Sequence, residues 1–577
     1  MERRVFIAIL LSFAVLYGYQ ALFVPPPPPT PTSAGTKAPE SVEQAPPQAE
    51  TPAVTDVPRE PSPAALITEP SEREITVDTG VAQVVITNRG GRILHWRLRG
   101  YSDSRGALVD LVPSAVPGDQ PRPFSLRVDD KALTGRLNES LYRVSGDVNG
   151  QVQAGQQSAT VVFEYQDASG VHARKEFRFD PRSYLVTFSA QVTSGDQMLS
   201  PAIEWGPGLG DSGALSGGGS FFTGNYVQPP QAILYRDGKI ERIKASNLAS
   251  QPTYEGAFRF AGIDDHYFLA AIVNPGKARI DFKPVTLPGP EKTQRQLLAQ
   301  TIALPGPASG VRLFVGPKQF DVLRSVDQEL VRAISFGMFG FLAVPLLTVL
   351  KSVYGVIGNY GWSIILLTII INLVIFPLRH KSLVSMRKVQ ALQPQLKAIQ
   401  DRYAGLKVTD PARQKMQTEI MALYKEKGVN PASGCVPMLL TLPVLFAFYS
   451  LLSQSIELRG ASFGWWIKDL SEHDPLYITP VLMAATMFWQ QRVTPSSADP
   501  AQQRVMMMMP LMFGFMFLWA PSGLVLYWFV GNLFAIAQQY FTNWWIGPQA
   551  PATARPAAER RVKSAGSGRT ASAENKQ

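Results

Sequence analysis

Between residues 359 and 539 the chain carries five apolar segments with almost no charge inside them, broken once by a strongly basic loop at 380–432. That pattern describes a polytopic membrane protein whose orientation is written in its loop. The five segments are 361–378, 435–452, 477–491, 506–520 and 523–539, and a sixth apolar run, 334–350, precedes them. Another run, Val5 to Val24, follows Arg3 and Arg4. Its roughly twenty residues, at about 1.5 Å each, cover about 30 Å, one hydrocarbon core. Tyr17, Tyr19 and Gln20 stand where a cleaved signal peptide ends in small residues, so residues 1–24 read as a retained anchor.

Charge sets the topology. The loop 380–432 carries ten Lys/Arg against four Asp/Glu and is expected in the cytoplasm, as is the N-terminus with its two arginines. An even number of spans must then separate them. The anchor and 361–378 make two, so 334–350 is not expected to span. With Pro345 inside it and Arg332 and Lys351 at its ends, residues 328–358 read as an interfacial amphipathic helix. Six spans remain, with both termini inside. The outer loop 457–475, with four acidic and two basic residues, and the basic tail 546–577 agree.

Outside the spans the texture changes twice. Residues 25–73, opening on Pro25 to Pro29, are rich in Pro, Ala, Thr and Glu and read as a disordered linker. From 74 to 317, apolar residues alternate: Phe163 and Tyr165, a turn at Asp167 to Gly170, Phe177 and Phe179, then Tyr184, Val186 and Phe188. That period of two predicts one large all-β sandwich, placed in the periplasm by the topology. The fold class is a five-helix polytopic core plus an N-terminal anchor, with this β domain outside. The core covers 359–545. Its basic loop predicts a helical hairpin with one stripe at Leu383, Met386, Val389, Leu392, Leu396 and Ile399 and another at Met416, Ile420 and Leu423. Asp410-Pro411 is a start signal, Gly428 a stop and Pro394 a kink.

Chemistry inside the spans is restricted. They hold no Asp, Glu, Lys or His well inside, which argues against an ion-coupled transporter and against an enzyme working in the bilayer. No metal or nucleotide cofactor is indicated. The five histidines, His95, His172, His266, His380 and His473, lack ligand spacing, Cys435 is the single cysteine, and no Walker-type loop exists. No specific nucleic-acid partner is indicated either. The polar residues that remain are uncharged: Thr368 with Asn372, Thr486 with Gln490, and Ser450, Ser453, Gln454, Tyr527 and Asn532. Two readings are open, hydrogen bonding between helices or a hydrophilic groove for polar chain segments. The segments 477–491 and 506–520 are short, which would thin the bilayer locally.

Specific runs then stand out: Pro377-Leu378, Leu392-Gln393-Pro394, Met421-Ala422-Leu423-Tyr424, Asn430-Pro431 with Gly434-Cys435 and Pro437, Trp466 with Asp469-Leu470-Ser471, Asp474-Pro475 with Tyr477 and Pro480, and Phe517-Leu518-Trp519 followed by Pro521 to Tyr527. In these, and in its order of anchor, linker, β domain and five spans, the chain resembles the YidC/Oxa insertase family in its Gram-negative form. The resemblance implies an insertase and chaperone of the inner membrane, working on nascent membrane proteins alone or beside the Sec translocon, without a cofactor. It implies a substrate groove at Thr368, Asn372, Tyr527 and Trp528, and a greasy slide at Pro437, Met438 and Met512. It also implies cytoplasmic capture by the hairpin and ribosome contact by the tail. The family's groove often carries a cation at the position of Asn372, so capture of acidic substrate segments would be weaker or fall to Arg379, Lys381 and Arg387 at the mouth. A transporter with a periplasmic β domain and a membrane assembly scaffold are the alternatives from other classes.

Overall fold

Alternating side chains build the extramembrane half. The computed structural model describes residues 63–103, 106–113, 116–117, 120–210, 228–288, 294–403, 412–429, 436–494 and 500–547. The expected anchor, residues 25–62 of the linker and the tail beyond Gly547 therefore lie outside the described residues. Among those described, strands Ala159–Asp167, Val171–Phe179 and Leu185–Ser194 pair antiparallel. Phe163, Tyr165, Phe177, Phe179, Val186 and Phe188 are all buried on the same side. They belong to a sheet of 14 strands, which stacks on a second of five. Trp96 of the smaller sheet sits 6.5 Å from both Phe179 and Trp205 of the larger one. Phe124 fills the space between Phe177, Phe188 and Trp205. Tilted aromatic pairs of this kind add to the burial they bring. Lys175 takes an inward position among them. Its Nζ donates to the carbonyls of Gly90 at 2.5 Å and Phe124 at 2.8 Å, and burial pushes the amine well below its ordinary range.

The β domain begins earlier than its texture indicates. Ala65–Ile67, inside the expected linker, is a strand paired to Ala159–Asp167. Arg73 bridges Glu69 at 2.8 Å and Asp147 at 2.7 Å. Edge pairing and ion pairs order this segment, and neither leaves the apolar alternation by which a strand is read.

The helical half is labelled α1 Gly340–Ile357, α2 Tyr360–Ala391, α3 Gln393–Arg402, α4 Ala412–Glu426, α5 Val436–Gln454, α6 Ile478–Val493, α7 Pro500–Met516 and α8 Ser522–Ile546. Among the described residues, Gly337–Ile357, α2 and α8 are long and apolar enough to cross a membrane. The segments flanking α1, and Lys351 within it, nevertheless hold to the β domain and the outer loop. Arg242 donates to the carbonyl of Ala333 at 2.8 Å just before α1. Lys351 meets Asp321 and lies 3.9 Å from Glu457 of the outer loop. Asn359, just after α1, donates to Ser462 O at 3.1 Å.

The first hairpin arm is not separate from its span, because α2 runs unbroken through Arg379 to Ala391. The break comes at Leu392, with Pro394 in the first turn of α3, where its missing N–H costs nothing. Ile399, Tyr403 and Ala412 are buried together with Met416, Ile420 and Leu423 against them, so the two stripes cover each other. Gly428 stops α4 at φ +63°, while Asp410-Pro411 lies outside the described residues.

A polar joint ties the halves. Lys318 Nζ is 2.8 Å from Asp264 Oδ1, and Arg242 Nε is 3.6 Å from Asp264 Oδ2. Beside them, burial and the nearby Lys318 push the His266 imidazole down to about 4. The neutral ring donates from Nε2 to Ser453 O at 2.9 Å, the last turn of α5, leaving Nδ1 to accept from Gln228 N. Arg459 of the outer loop covers the rings of Tyr267 and Phe268 at 5.3 and 5.5 Å. A depressed folded-state value means that stability is present above pH 6.5 and lost as pH falls through about 4. His266→Gln keeps a donor but does not titrate. The wild type's margin over this variant is expected to shrink by up to about 3 kcal/mol between those pH values. Unfolding of the full chain in detergent across the range measures it, and a margin independent of pH contradicts the buried neutral ring.

Candidate functional site

Polar side chains within the helices are mostly spent on the helices themselves. Thr368 Oγ1 donates to Ile364 O at 2.6 Å, and Asn372 Nδ2 donates to Thr368 O at 2.8 Å. Thr486 donates to Met483 O, and Asn532 donates to Thr486 at 3.3 Å, joining α8 to α6. All four are buried. Tyr527 stacks on Phe448 of α5 with centroids 4.2 Å apart. Of the two readings left open for these residues, the geometry favours interhelical and intrahelical bonding.

The open space lies elsewhere. A cavity of about 680 Å³ separates α5 from α6, α7 and α8. Its walls are apolar, with Leu442, Leu445 and Phe446 facing Met487, Phe513 and Trp528. Trp528 is wedged against Phe517 at 5.0 Å and Phe513 at 5.8 Å. Within one wall α6 and α7 pack closely: a Cβ at Gly514 of α7 would sit 2.7 Å from Ala484 Cβ of α6. One end is polar, lined by Arg379, Ser382, Gln490, Thr494, Gln538 and Gln539.

At the other end, lined by Phe517, Ala520, Pro521 and Leu524, the outer loop caps the helices. Ser522 N donates to Glu472 O at 2.7 Å and Gly523 N to Leu470 O at 3.0 Å, so the loop satisfies the free amides at the start of α8. Asp474 does the same for α6, accepting from Thr479 N and Oγ1, both at 2.8 Å, and from Trp466 Nε1 at 2.9 Å. Gly361 of α2 is pressed on Phe463, whose ring a Cβ would strike.

Of the residues expected in the groove, Trp528 lines the cavity, while Thr368, Asn372 and Tyr527 do not. Met512 is 57% exposed and faces away, and the side chains of Pro437 and Met438 lie outside the described residues. The three capture cations separate. Lys381 is exposed. Arg387 is engaged, donating to the Asn543 side chain and, at 3.3 Å, to Gly547 O, where it closes the end of α8. Arg379 turns back along α2, and its Nη1 donates to Asn372 Oδ1 at 2.9 Å. No carboxylate among the described residues pairs with it. Arg379 thus brings a guanidinium to Asn372 from two turns further on. Sequence reading missed the cavity's apolar walls. Their signal, Met509, Phe513, Met516 and Phe517 with Leu524 and Trp528, is a helical stripe inside helices that are apolar all round.

Residues 352–548 match the family model described as 60Kd inner membrane protein, and residues 74–349 match the one described as YidC periplasmic domain. The membrane protein insertase YidC of Geobacter metallireducens is 34% identical, covering 94% of this chain and 98% of its own. The chain belongs to the YidC family of membrane protein insertases. The YidC of Citrifermentans bemidjiense is 35% identical over 94% of this chain and 99% of its own. A solved structure described as an active YidC insertase with the first transmembrane domain resolved covers 83% of this chain and 95% of its own, at 18% identity and a TM-score of 0.34. This YidC-family member is an inner-membrane protein with a periplasmic β domain.

Because Arg387 closes the end of α8, Arg387→Ala should free the last turn. Two bonds to a charged donor, each worth about 1.5–3 kcal/mol at most, would be lost there. Amide exchange of Phe541 to Ile546 in the reconstituted protein is expected to quicken by about tenfold or more. Unchanged exchange would make Arg387 a bystander.

Proposed function

We propose that the cavity between α5 and α6 to α8 is the groove through which this insertase handles nascent membrane proteins, with Arg379 as its cation and Trp528 as its wall. The observation that carries it is a guanidinium without a carboxylate partner among the described residues, set at the polar end of an otherwise apolar cavity. A carboxylate entering a bilayer alone is costly. Pairing with Arg379 lowers that cost, and a charge-assisted bond is about twice a neutral one. The apolar span of the substrate leaves sideways, driven by its partition into lipid.

The surroundings support this path. Helix α6 has 16 residues, about 24 Å against a core of about 30 Å, so the bilayer beside it is thinned. Both termini and the hairpin are cytoplasmic, the hairpin and Lys381 meet the incoming chain, and the basic tail contacts the ribosome. Helix α1 rests at the outer interface, since the segments flanking it hold to the β domain and the outer loop. The protein works alone or beside the Sec translocon, and its role is insertion and folding rather than catalysis of a covalent step.

A photocrosslinking probe replacing Trp528 in vesicles is expected to capture ribosome-stalled membrane-protein chains at one nascent length and to lose them on release. The same probe at Thr368, buried among helices, should give about background. Equal crosslinking at both positions, or none at Trp528 in folded protein, overturns the groove placement.

The cation is tested by exchange. Arg379→Asn should lower insertion of substrates with acidic translocated tails by about tenfold, the worth of one charge-assisted bond. Adding Asn372→Arg should restore it, and substrates without acidic tails should change little. A uniform loss across substrates would mean that Arg379 is structural.

A further inference from the structure

The cavity presents two demands at once. Its walls are Leu445, Phe446, Met487, Phe513 and Trp528, side chains from which water gains nothing. Left empty, such a space forfeits the dispersion contacts of its lining. At its polar end, Arg379 spends one N–H on Asn372 and meets no carboxylate among the described residues. A desolvated guanidinium calls for a planar or tetrahedral oxyanion, and it binds phosphate oxygens well.

The depth of that end is fixed by aromatic side chains. Trp489, beside the cavity residue Gln490, is 49% exposed and donates to Tyr540, which is half exposed. Trp544 and Trp545 follow, at 76% and 68% exposed. A belt of exposed Trp and Tyr marks the level of lipid headgroups. Arg379 therefore sits at headgroup depth, with an apolar chamber running from it toward the middle of the bilayer.

We infer that, before substrate arrives, the cavity holds one phospholipid, its phosphate on Arg379 and an acyl chain along Met487, Phe513 and Trp528. This rests on the cavity's being the substrate groove. The lipid keeps the chamber packed and the guanidinium paired. An entering chain offers the same two things, a carboxylate and apolar side chains, and so exchanges with it. When the finished span leaves, lipid returns.

Trp528 is the reporter. The full chain is reconstituted in vesicles containing a phosphatidylglycerol brominated on its acyl chains, and the Trp528 signal is taken as wild type minus Trp528→Phe. Strong quenching by acyl bromine with none by aqueous iodide is expected. Arg379→Gln, which removes the charge and keeps an amide donor, should need about tenfold more brominated phospholipid for the same quenching. A brominated glycolipid without phosphate should quench weakly in both proteins. Quenching of Trp528 by iodide instead of bromine means a water-filled groove and overturns the inference. Equal quenching by the phosphate-free lipid, indifferent to Arg379→Gln, also overturns it. Substrate crosslinking by protein carrying the probe in place of Trp528, in vesicles of the same lipids, separates the two ideas. If it persists without lipid quenching, the insertase groove stands and the resident lipid falls. If quenching is seen without crosslinking, the groove assignment fails.

Discussion

A polar group inside a bilayer has no water to turn to, so each one must find a partner within the protein or be costly. That constraint arranges the helical half. Thr368, Asn372, Thr486 and Asn532 form short chains of bonds that tie α2 to itself and α8 to α6. Once they are satisfied, polarity is left to one end of the cavity, and the rest of it forms where the helices meet with apolar faces. Arg379 is the charged member of that end. It has one bond to Asn372, and its remaining charge faces the cavity. The side chain that replaces the expected cation at 372 is thus also the one that holds its substitute in place.

The same constraint explains the β domain's grip on the helices. Helix ends expose free amides and carbonyls, and at the outer surface the protein caps them with its own parts. Asp474 covers the start of α6, the 469–472 stretch covers α8, and His266 covers the last turn of α5. The outer loop does this while pinned under Arg459 and the rings of Tyr267 and Phe268. The outer loop's hold on α6 and α8 is therefore a result of capping. The Asp264 cluster, with Lys318 and Arg242, stiffens the hairpin tip that supplies His266.

Much of this was legible in the residues, and the part that was not shares one cause. Periodicity found the β domain because Phe163, Phe177 and Phe188 alternate with polar neighbours on one-sided strands. Length and charge found the helices, and Pro394 and Gly428 marked the hairpin's bends. Pattern fails where inside and outside have the same polarity. In α7 and α8 the side facing lipid and the side facing the cavity are both apolar, so the wall around Trp528 has no contrast to read. The strand Ala65–Ile67 escaped for the converse reason, being held by backbone pairing and by Arg73 rather than by a buried side chain. Arg387 carries the right charge for capture, yet its position two turns beyond Arg379 brings it to Asn543 and Gly547.

A groove with apolar walls and one cation also sorts what it admits. Polar walls would hydrogen-bond any peptide and hold it, because bonds gained on entry must be broken on exit. Apolar walls give nothing that lipid does not also give, so a substrate's hydrophobic span moves between groove and bilayer with little change in free energy. Only a charge meets a specific partner there, and in the proposed path Arg379 stands at the end by which a charge would enter. Retention is then brief and tied to the one group that lipid cannot solvate. That suits a protein that must release every chain it receives.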